Sequence, residues 1–399
     1  MIRACGGGGC WYPSTPVDES RESEAGPARG INGETSALAI DRAIGELRRG
    51  RAIHLSGPGS NGGGAGLVVA AIEAVHAPLL RRLEEAGHPL LLLLTPERAR
   101  AAGLGGEPAG PVAVAVPSGA QPEDLRALAC ATPIESDPHL TVSIHERWTG
   151  SKLAAAGFSL AKAGRLLPAL VGVEVEHLAD PSLLVLDGAA VERQARFVRH
   201  SLQRTSQSRV PLADALDCEL ALFRDEHRLG EHVAIIIGKP DFSGIVPVRM
   251  HSACLTGDLL GSLRCDCGEQ LRTAVRRIAE LGGGVLLYLD QEGRGIGLAN
   301  KLRAYALQDH GLDTIDADRH LGFSADERNY DVAVALLREL GISRITLLTN
   351  NPQKIAALTA REIAVVGRLP LVGKTNSHNA RYLKAKRERA GHLAGETDG

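Results

Sequence analysis

Three cysteines close together in the sequence carry the strongest chemical signal. Cys254, Cys265 and Cys267 lie within a stretch of 14 residues. Thiolate sulfur suits Zn²⁺, a borderline-soft ion that is usually held in tetrahedral sites. Three protein ligands without an evident fourth leave one position for water, as in catalytic zinc sites, and zinc lowers the pKa of that water to about 7. The alternative is three buried or incidental cysteines without a metal.

The other four cysteines are scattered along the chain, at Cys5, Cys10, Cys130 and Cys218. Seven cysteines in 399 residues are too few for a disulfide framework, and an odd number leaves one unpaired. The cluster therefore indicates a metal site in a reducing compartment.

A glycine-rich segment follows a predicted strand that ends at Leu289. Residues 291–297 read QEGRGIG. Glycines after a strand let the backbone approach a phosphate, and Arg294 could neutralise its charge. The segment is not a true G-x-G-x-x-G motif, and a simple tight turn is the alternative.

Two further segments carry polar residues suited to a phosphorylated substrate. In Thr349–Lys354 (TNNPQK) a strand ends, an Asn caps a helix, Pro takes the first helical position and Lys follows. Phe323–Arg328 (FSADER) offers two carboxylates and a guanidinium for acid–base chemistry and phosphate binding. An ordinary capped helix and a solvated helix start are the alternatives. Together the four segments predict a zinc hydrolase acting on a phosphorylated substrate.

Composition excludes several other classes of protein. A chain of 399 residues predicts two domains, and its 44% hydrophobic content excludes wholesale disorder. A formal net charge of −2 and only 3% aromatic residues argue against a nucleic-acid partner. No apolar run, Leu90–Leu94 included, approaches the roughly 20 residues of a membrane helix. Because the N-terminus also lacks a signal-peptide stretch, we expect a cytoplasmic protein with no membrane partner.

Apolar periodicity in the second half predicts alternating strands and helices. We expect strands at Val233–Ile237, Ile245–Val248, Gly284–Leu289 and Arg344–Thr349, and helices at Gly268–Leu281, Tyr330–Leu340 and from Pro352 onward. The first of these helices carries Leu271, Val275 and Ile278 on one face. This alternation is typical of an α/β fold.

The first half shows the same alternation behind a leader, residues 1–36, whose Gly, Ser, Pro and Glu content predicts disorder. We expect helices from Ala37 to Arg49 and from Leu67 to about Ala86, and strands at Arg51–Ser56, Leu90–Leu94, Val112–Val116, His139–Ile144 and Leu183–Leu186. A polar stretch, Gln203–Arg209, indicates the domain boundary. The prediction is an α/β protein of two domains, 37–205 and 206–393, each with mixed sheets and flanking helices, and a tail at 394–399.

The second half resembles GTP cyclohydrolase II. The likeness runs from about His232 to Leu393 and covers HSACLTGDLLGSLRCDCGEQL, YLDQEGRGIGLANKLRAYALQD, LGFSADERNY and LLTNNPQKI, in the family's order and spacing. That family opens the imidazole ring of GTP in riboflavin biosynthesis and releases formate, pyrophosphate and 2,5-diamino-6-ribosylamino-4(3H)-pyrimidinone 5′-phosphate. The resemblance implies a homodimer with one Zn²⁺ per subunit and Mg²⁺ accompanying the triphosphate.

The resemblance also implies the ligands of the metal and of the nucleotide. Cys254, Cys265 and Cys267 would hold the zinc whose water attacks C8 of guanine. The residues that would contact the nucleotide are Arg249, His251, Ser252, Gln270, Glu292, Gly293, Arg294, Thr314, Thr349 and Lys354.

Three further residues take catalytic roles by resemblance. Asp326 would accept a proton, Arg328 would attack the α-phosphorus, and Tyr305 occupies the position of a functionally important tyrosine. Because a guanidinium is effectively always protonated, Arg328 has an alternative role, in which it clamps the α-phosphate while water attacks.

Two residues depart from the family pattern. Ala253 stands where relatives often carry Glu, and Asp290 where Arg is frequent, and either could alter affinity or triphosphate preference. They leave open a paralogue that opens a guanine nucleotide ring for another pathway or stops at GMP. A non-catalytic nucleotide sensor is the other alternative, although binding alone would not need a water-activating metal.

The first half resembles 3,4-dihydroxy-2-butanone 4-phosphate synthase, on RAIHLS, LVVAAIEAV, LLTPERARAAGL and LTVSIHE. In that family an acidic loop binds Mg²⁺ and the pentulose phosphate, whereas residues 57–66 here (GPGSNGGGAG) hold no carboxylate for a hard cation. The Thr- and Gly-rich motif with a metal-binding His has no clear counterpart near Trp148–Gly164. The resemblance thus implies an inactive synthase-like domain kept for packing, oligomerisation or regulation.

Overall fold

Two mixed β-sheets of seven strands each organise the chain. The computed structural model describes residues 37–57, 66–85, 89–104, 108–130, 143–145, 148, 151–177, 180, 182–196, 202–225, 230–371, 373, 375–380, 382, 384, 388–389, 391 and 393. The predicted leader, the predicted tail and most of the loop at 57–66 lie outside these residues. The expected α/β architecture, with mixed sheets and flanking helices in two domains, is confirmed.

The first sheet is built from the first half of the chain. Its strands are β1 (Ile53–Ser56), β2 (Gly66–Ala71), β3 (Leu91–Leu94), β4 (Val112–Ala115), β5 (Ser143–Ile144), β6 (Ala169–Val175) and β7 (Leu184–Asp187). They lie in the order β5-β4-β3-β6-β2-β1-β7, and every pair except β1–β7 is antiparallel. The helices of this half are α1 (Ala37–Arg48), α2 (Ala77–Glu84), α3 (Pro96–Ala101), α4 (Pro122–Cys130), α5 (Ser151–Ala163) and α6 (Gly188–Arg196).

The prediction of a helix from Leu67 to about Ala86 is wrong over its first part. The run from Leu67 begins as strand β2, which pairs with β1 and β6, and the helix begins only at Ala77. An uninterrupted apolar run is compatible with a strand covered on both faces, and periodicity alone does not separate the two. His76 marks the true helix start, because its Nδ1 accepts a hydrogen bond from the Leu79 N–H at 3.3 Å.

The second sheet is built from the second half. Its strands are β8 (Leu202–Arg209), β9 (Cys218–Asp225), β10 (Glu231–Gly238), β11 (Val246–Ser252), β12 (Gly283–Leu289), β13 (Arg344–Leu348) and β14 (Ala364–Leu369). They lie in the order β14-β13-β11-β12-β10-β9-β8. The helices of this half are α7 (Cys267–Glu280), α8 (Leu298–Asp309), α9 (Thr314–His320), α10 (Asp331–Glu339) and α11 (Pro352–Thr359), with a π-helical segment at Leu255–Leu259 and a 3₁₀ turn at Glu292–Gly295.

Parallel pairing determines where the chemical segments meet. β11 is parallel to both β12 and β13, and Ser252 pairs with Leu289 at the carboxyl ends of β11 and β12. β13 ends at Leu348 on the same side of the sheet. Because ligands bind outside the carboxyl ends of parallel strands, the segments that follow these three strands border one crevice.

The polar stretch Gln203–Arg209 belongs to strand β8 at the edge of the second sheet, paired with β9. Its side chains are exposed, which explains why the stretch is polar. The boundary expected between residues 205 and 206 falls inside this strand.

One apolar cluster joins the two halves. Leu92 and Val171 of the first sheet share this buried cluster with Leu307 of α8 and with Leu321 and Phe323, which follow α9. Helices α8 and α9 therefore connect the first sheet to the second half. No helix in the described part of the chain has the length and apolar character needed to span a bilayer.

Candidate active site

A cavity of about 420 Å³ lies at the carboxyl ends of β11, β12 and β13, within the size range of small-molecule sites. All sixteen residues singled out in the sequence line it: Arg249, His251, Ser252, Cys254, Cys265, Cys267, Gln270, Glu292, Gly293, Arg294, Tyr305, Thr314, Asp326, Arg328, Thr349 and Lys354. The structure thus brings together segments that are separated by up to 105 residues in the chain. The role of each residue stays a prediction.

The three thiols form one cluster, in which the Sγ atoms lie within 4.8 Å of one another and those of Cys254 and Cys265 are 3.7 Å apart. Gly257 permits this approach, because a Cβ there would lie 2.8 Å from the Cys265 sulfur. Hydrogen bonds from Cys265 and Cys267 lower the pKa of Cys254, and nearby Lys301 lowers it further. A thiolate among closely spaced thiols is a donor set that fits zinc.

Lys301 is part of this site, although the sequence analysis did not single it out. Its Nζ lies 3.2 Å from Cys254 Sγ, 2.9 Å from Thr256 Oγ1 and 2.8 Å from Glu292 Oε1. Burial acts to lower the pKa of Lys301, but the hydrogen bond to Glu292 and the charges of the neighbouring groups together outweigh it, so the pKa is raised. The sequence could have indicated Lys301 through its position four residues before Tyr305, since residues four apart share a helix face.

Asp258 organises the other side of the thiol cluster. Its carboxylate accepts hydrogen bonds from the Tyr288 hydroxyl at 3.0 Å and the Cys254 N–H at 2.9 Å, and pairs with His251 Nε2 at 3.1 Å. Burial lowers the pKa of His251. Within the described residues the buried His251 Nδ1 has no hydrogen-bond partner, and His251 is one of the residues that line the cavity. Asp258 and Tyr288 were also missed, although both lie in the segments quoted for the family resemblance.

Asp326 and Arg328 form a two-pronged pair beside the cavity. Arg328 Nε donates to Asp326 Oδ1 at 2.8 Å and Nη2 donates to Oδ2 at 2.5 Å. Burial would raise the pKa of Asp326, but the hydrogen bonds from Arg328 lower it below its usual range. Although burial opposes it, the same pair raises the pKa of Arg328. The guanidinium is therefore firmly cationic, which favours its role as a phosphate clamp over its role as a nucleophile.

Six cationic side chains line the same cavity, and all but the exposed Arg389 are buried or half-buried: Arg249, Arg294, Lys301, Arg328, Lys354 and Arg389. Burial lowers the pKa of Arg249 to about 10, and its guanidinium donates to Gln270 Oε1 at 2.7 Å. Lys354 Nζ donates to the Met250 carbonyl at 2.8 Å. Such a concentration of buried positive charge suits a highly anionic ligand.

Arg294 lies on the 3₁₀ turn, with a φ of 61° that places it in the left-handed region. Its Nη1 is 3.4 Å from Asp318 Oδ2 and 3.3 Å from the Ala325 carbonyl. Burial raises the pKa of Asp318 to about 7. Asp318 therefore neutralises Arg294 only in part near neutral pH, which leaves positive charge for a ligand.

The helix start expected after β13 is confirmed. Asn351 caps α11, since its Oδ1 accepts a hydrogen bond from the Gln353 N–H at 2.9 Å, and Pro352 is the first residue of the helix. Thr349 Oγ1 in turn accepts from the Asn351 N–H at 3.0 Å. Both Thr349 and Asn351 line the cavity.

The two residues that depart from the family pattern, Ala253 and Asp290, lie in different places. Ala253 lines the cavity. The Asp290 carboxylate instead accepts a hydrogen bond from Arg165 Nη2 at 2.7 Å, and Arg165 follows helix α5 of the first half.

Comparison with known proteins gives one consistent family. GTP cyclohydrolase II matches residues 203–370. A GTP cyclohydrolase-2 of Azospirillum brasilense is 42% identical over 372 residues, which cover 90% of this chain and 95% of that protein. Another, of Xylella fastidiosa, is 40% identical over 369 residues, covering 90% and 88% respectively. A third, of Shewanella amazonensis, is 54% identical over 176 residues, 44% of this chain and 85% of that protein.

Solved structures also match, among them RibBX, a two-domain 3,4-dihydroxy-2-butanone 4-phosphate synthase from A. baumannii, with 17% identity and a TM-score of 0.30 over 84% of this chain and 99% of that chain. A similarity this low carries no argument about activity.

Proposed function

Since the chain belongs to the GTP cyclohydrolase II family of riboflavin biosynthesis, we propose that it is a zinc-dependent hydrolase of GTP. Its products are formate, pyrophosphate and 2,5-diamino-6-ribosylamino-4(3H)-pyrimidinone 5′-phosphate. The observation that carries this proposal is the single cavity that holds three clustered thiols, the Asp326–Arg328 pair and buried cations.

Cys254, Cys265 and Cys267 would hold the zinc, which when bound supplies an activated water for hydrolysis. Lys301 balances the charge of the thiolate it touches, and Glu292 keeps Lys301 in place through an ion pair at 2.8 Å. Glu292 is itself fixed, because its Oε2 accepts a hydrogen bond from the Leu255 N–H at 2.6 Å. These contacts hold the thiol cluster rigidly before any substrate arrives.

The cationic side chains bind and orient the triphosphate. Arg249, Arg294 and Lys354 line the cavity together with Thr349 at the start of α11, so anion binding combines side-chain charge with a helix N-terminus. Mg²⁺ accompanies the triphosphate, since this ion is commonly bound through substrate phosphates.

The Asp326–Arg328 pair supports both parts of the reaction. Asp326 is ionised near neutral pH and can accept a proton from the attacking water. Arg328 is held by two hydrogen bonds and presents a fixed positive charge to the α-phosphate. Burial raises the pKa of Tyr305, so its hydroxyl stays protonated and can donate a hydrogen bond to the nucleotide.

The remaining expectations belong to the same proposal. The first half carries no synthase activity, because residues 57–66 hold no carboxylate for a divalent cation. The enzyme is a cytoplasmic homodimer, as the family resemblance implies. Incubating a truncation that ends near Arg209 with ribulose 5-phosphate tests the first point, since product formation would contradict it.

The experiment that tests the function is incubation of the full chain with GTP and Mg²⁺, with and without a zinc chelator, followed by mass spectrometry. We expect all three products, and their loss on chelation. Cys265→Ser should abolish turnover and zinc binding together, whereas Cys218→Ser, a buried cysteine outside the cluster, should retain both. Release of GMP without ring opening would contradict the proposed reaction, and GTP binding without turnover would favour the nucleotide sensor.

A further inference from the structure

We propose that Lys162 and Arg165, at the carboxyl end of helix α5 in the first half, are positioning residues for the active site in the second half. Each forms an ion pair with a residue adjacent to the cavity lining, Glu327 and Asp290 respectively. The inference rests on the proposed function, and it assigns to the first half a direct role in GTP turnover.

Lys162 holds the segment that carries Asp326 and Arg328. Its Nζ lies 2.7 Å from Glu327 Oε1, and Glu327 stands between those two residues. The same carboxylate oxygen accepts a hydrogen bond from the Ser324 N–H at 2.7 Å. Burial alone would raise the pKa of Glu327, but the charge and hydrogen bond of Lys162, with the hydrogen bond from Ser324, together lower it, so the carboxylate stays ionised.

Arg165 holds the segment that begins with Asp290 and continues into the glycine-rich turn. Its Nη2 donates to the Asp290 carbonyl at 2.9 Å and to the Asp290 carboxylate at 2.7 Å. The Arg165 backbone has a φ of 58°, and its carbonyl accepts a hydrogen bond from Asn300 Nδ2 at 3.2 Å. A Cβ at Gly297 would lie 2.8 Å from the Arg165 Cβ, so the two backbones are in close contact.

The two segments also contact each other. The Glu327 N–H donates to the Arg294 carbonyl at 3.2 Å, and a Cβ at Gly295 would lie 2.8 Å from the Glu327 carbonyl oxygen. A shift of either segment therefore moves the other. Lys162 and Arg165, which do not line the cavity, therefore hold both segments.

The first half also contacts the residues that come just before the segment with Asp326 and Arg328. Thr95 Oγ1 donates to the Gly322 carbonyl at 3.2 Å, and the buried Arg98 donates from Nη1 to the His320 carbonyl at 2.7 Å. Together with the apolar cluster that contains Phe323, these contacts fix the residues before Asp326 to the first half. The ion pairs of Lys162 and Arg165 add to these contacts between the two halves.

The test compares charge reversals in the full-length, zinc-loaded enzyme. Lys162→Glu and Arg165→Glu should each lower kcat at least about tenfold, with KM changed less than about threefold, because a small displacement of catalytic groups is costly while the phosphate-binding cations stay in place. Lys162→Arg should stay within about threefold of the parent. Adding Asp290→Arg to Arg165→Glu should recover activity by at least about fivefold.

Lys152→Glu is the matched control, because Lys152 is an exposed lysine on the same helix and no ion pair involves it within the described residues. It should leave kcat unchanged. The far-UV circular dichroism spectrum, and the number of sites that bind the α,β-methylene analogue of GTP, should match the parent in every variant, which separates misplacement from a partly unfolded sample.

Two results would overturn the inference: parental kcat in both Lys162→Glu and Arg165→Glu, or a double variant no more active than Arg165→Glu alone. If the parent itself fails to turn over GTP, the proposed function fails instead. The coupling between Arg165 and Asp290 is then measured from the unfolding midpoints of the parent, Arg165→Glu, Asp290→Arg and the double variant, and a coupling of zero would contradict the pairing itself.

Discussion

Lys301 Nζ lies 3.2 Å from Cys254 Sγ, so a buried cation touches one of three clustered thiols. The two residues are 47 positions apart in the chain and meet because the π-helical segment after β11 packs beside helix α8. Since Glu292 is bound to the same ammonium group, the contact links the thiol cluster to the glycine-rich turn.

Replacing Lys301 by Met should weaken zinc retention about tenfold or more, because the change removes the cation beside the thiolate and leaves Glu292 buried without its partner. Competition with a chromogenic chelator measures the affinity. Lys239→Met, at an exposed lysine, should retain parental affinity. Unchanged zinc affinity in the Lys301 variant would show that the contact does not support the thiol cluster.

Gly257→Ala should also impair the metal site. The new Cβ would lie 2.8 Å from the Cys265 sulfur and 3.0 Å from the Cys254 sulfur, so the thiols must separate. We expect at least about a tenfold loss of zinc affinity with little change in secondary structure by circular dichroism. Gly110→Ala meets no atom within 4 Å and serves as the control. A Gly257 variant that binds zinc normally would be inconsistent with the packing described.

Replacing Arg328 by Lys tests the phosphate clamp. Lysine keeps the charge but loses the fork that holds Asp326 through Nε and Nη2. We expect pyrophosphate release to fall about 100-fold or more, as for loss of a preorganised charge contact. A coupled pyrophosphate assay measures this, with Arg276→Lys on the exposed face of α7 as the control. Near-normal turnover would exclude both the clamp and the nucleophile.

The raised pKa of Asp318 predicts that the free energy of unfolding depends on pH. Its pKa is raised to about 7 in the folded protein, whereas an unfolded aspartate titrates near 3.9, so the folded state binds more protons between these values. Stability from this group is therefore present at low pH and decreases as the pH rises toward 7, by at most about 1.4 kcal/mol per pH unit.

Urea unfolding of Asp318→Asn at pH 5 and pH 8 measures this effect. The variant should gain stability relative to the parent as the pH rises, since Asn does not ionise. Unfolding of the parent at the same two pH values gives the reference. A pH-independent difference for Asp318→Asn would contradict the raised pKa.

The local features of this protein follow from its sequence alone. The spacing of Cys254, Cys265 and Cys267 predicted a cluster of thiols, and Asn351-Pro352 predicted a capped helix start, because both depend on residue types within a few turns of chain. Apolar periodicity likewise predicted β11, β12, β13, α7 and α11, but it did not predict α8 or α9, which carry Tyr305 and Thr314. The run from Leu67 was assigned wrongly, because a fully buried strand and a buried helix share one apolar pattern.

Only the tertiary structure decided which distant groups surround that site. Lys301, Asp258 and Tyr288 lie in segments that the sequence analysis quotes, but their residue types gave no sign of a place beside the thiols. They reach the thiols through the parallel pairing of β11 and β12 and the packing of α8. Contact between Lys162 and Glu327 joins residues 165 positions apart. Their pairing depends on how two sheets pack through one shared apolar cluster, and no local pattern records the relative placement of elements so far apart in the chain.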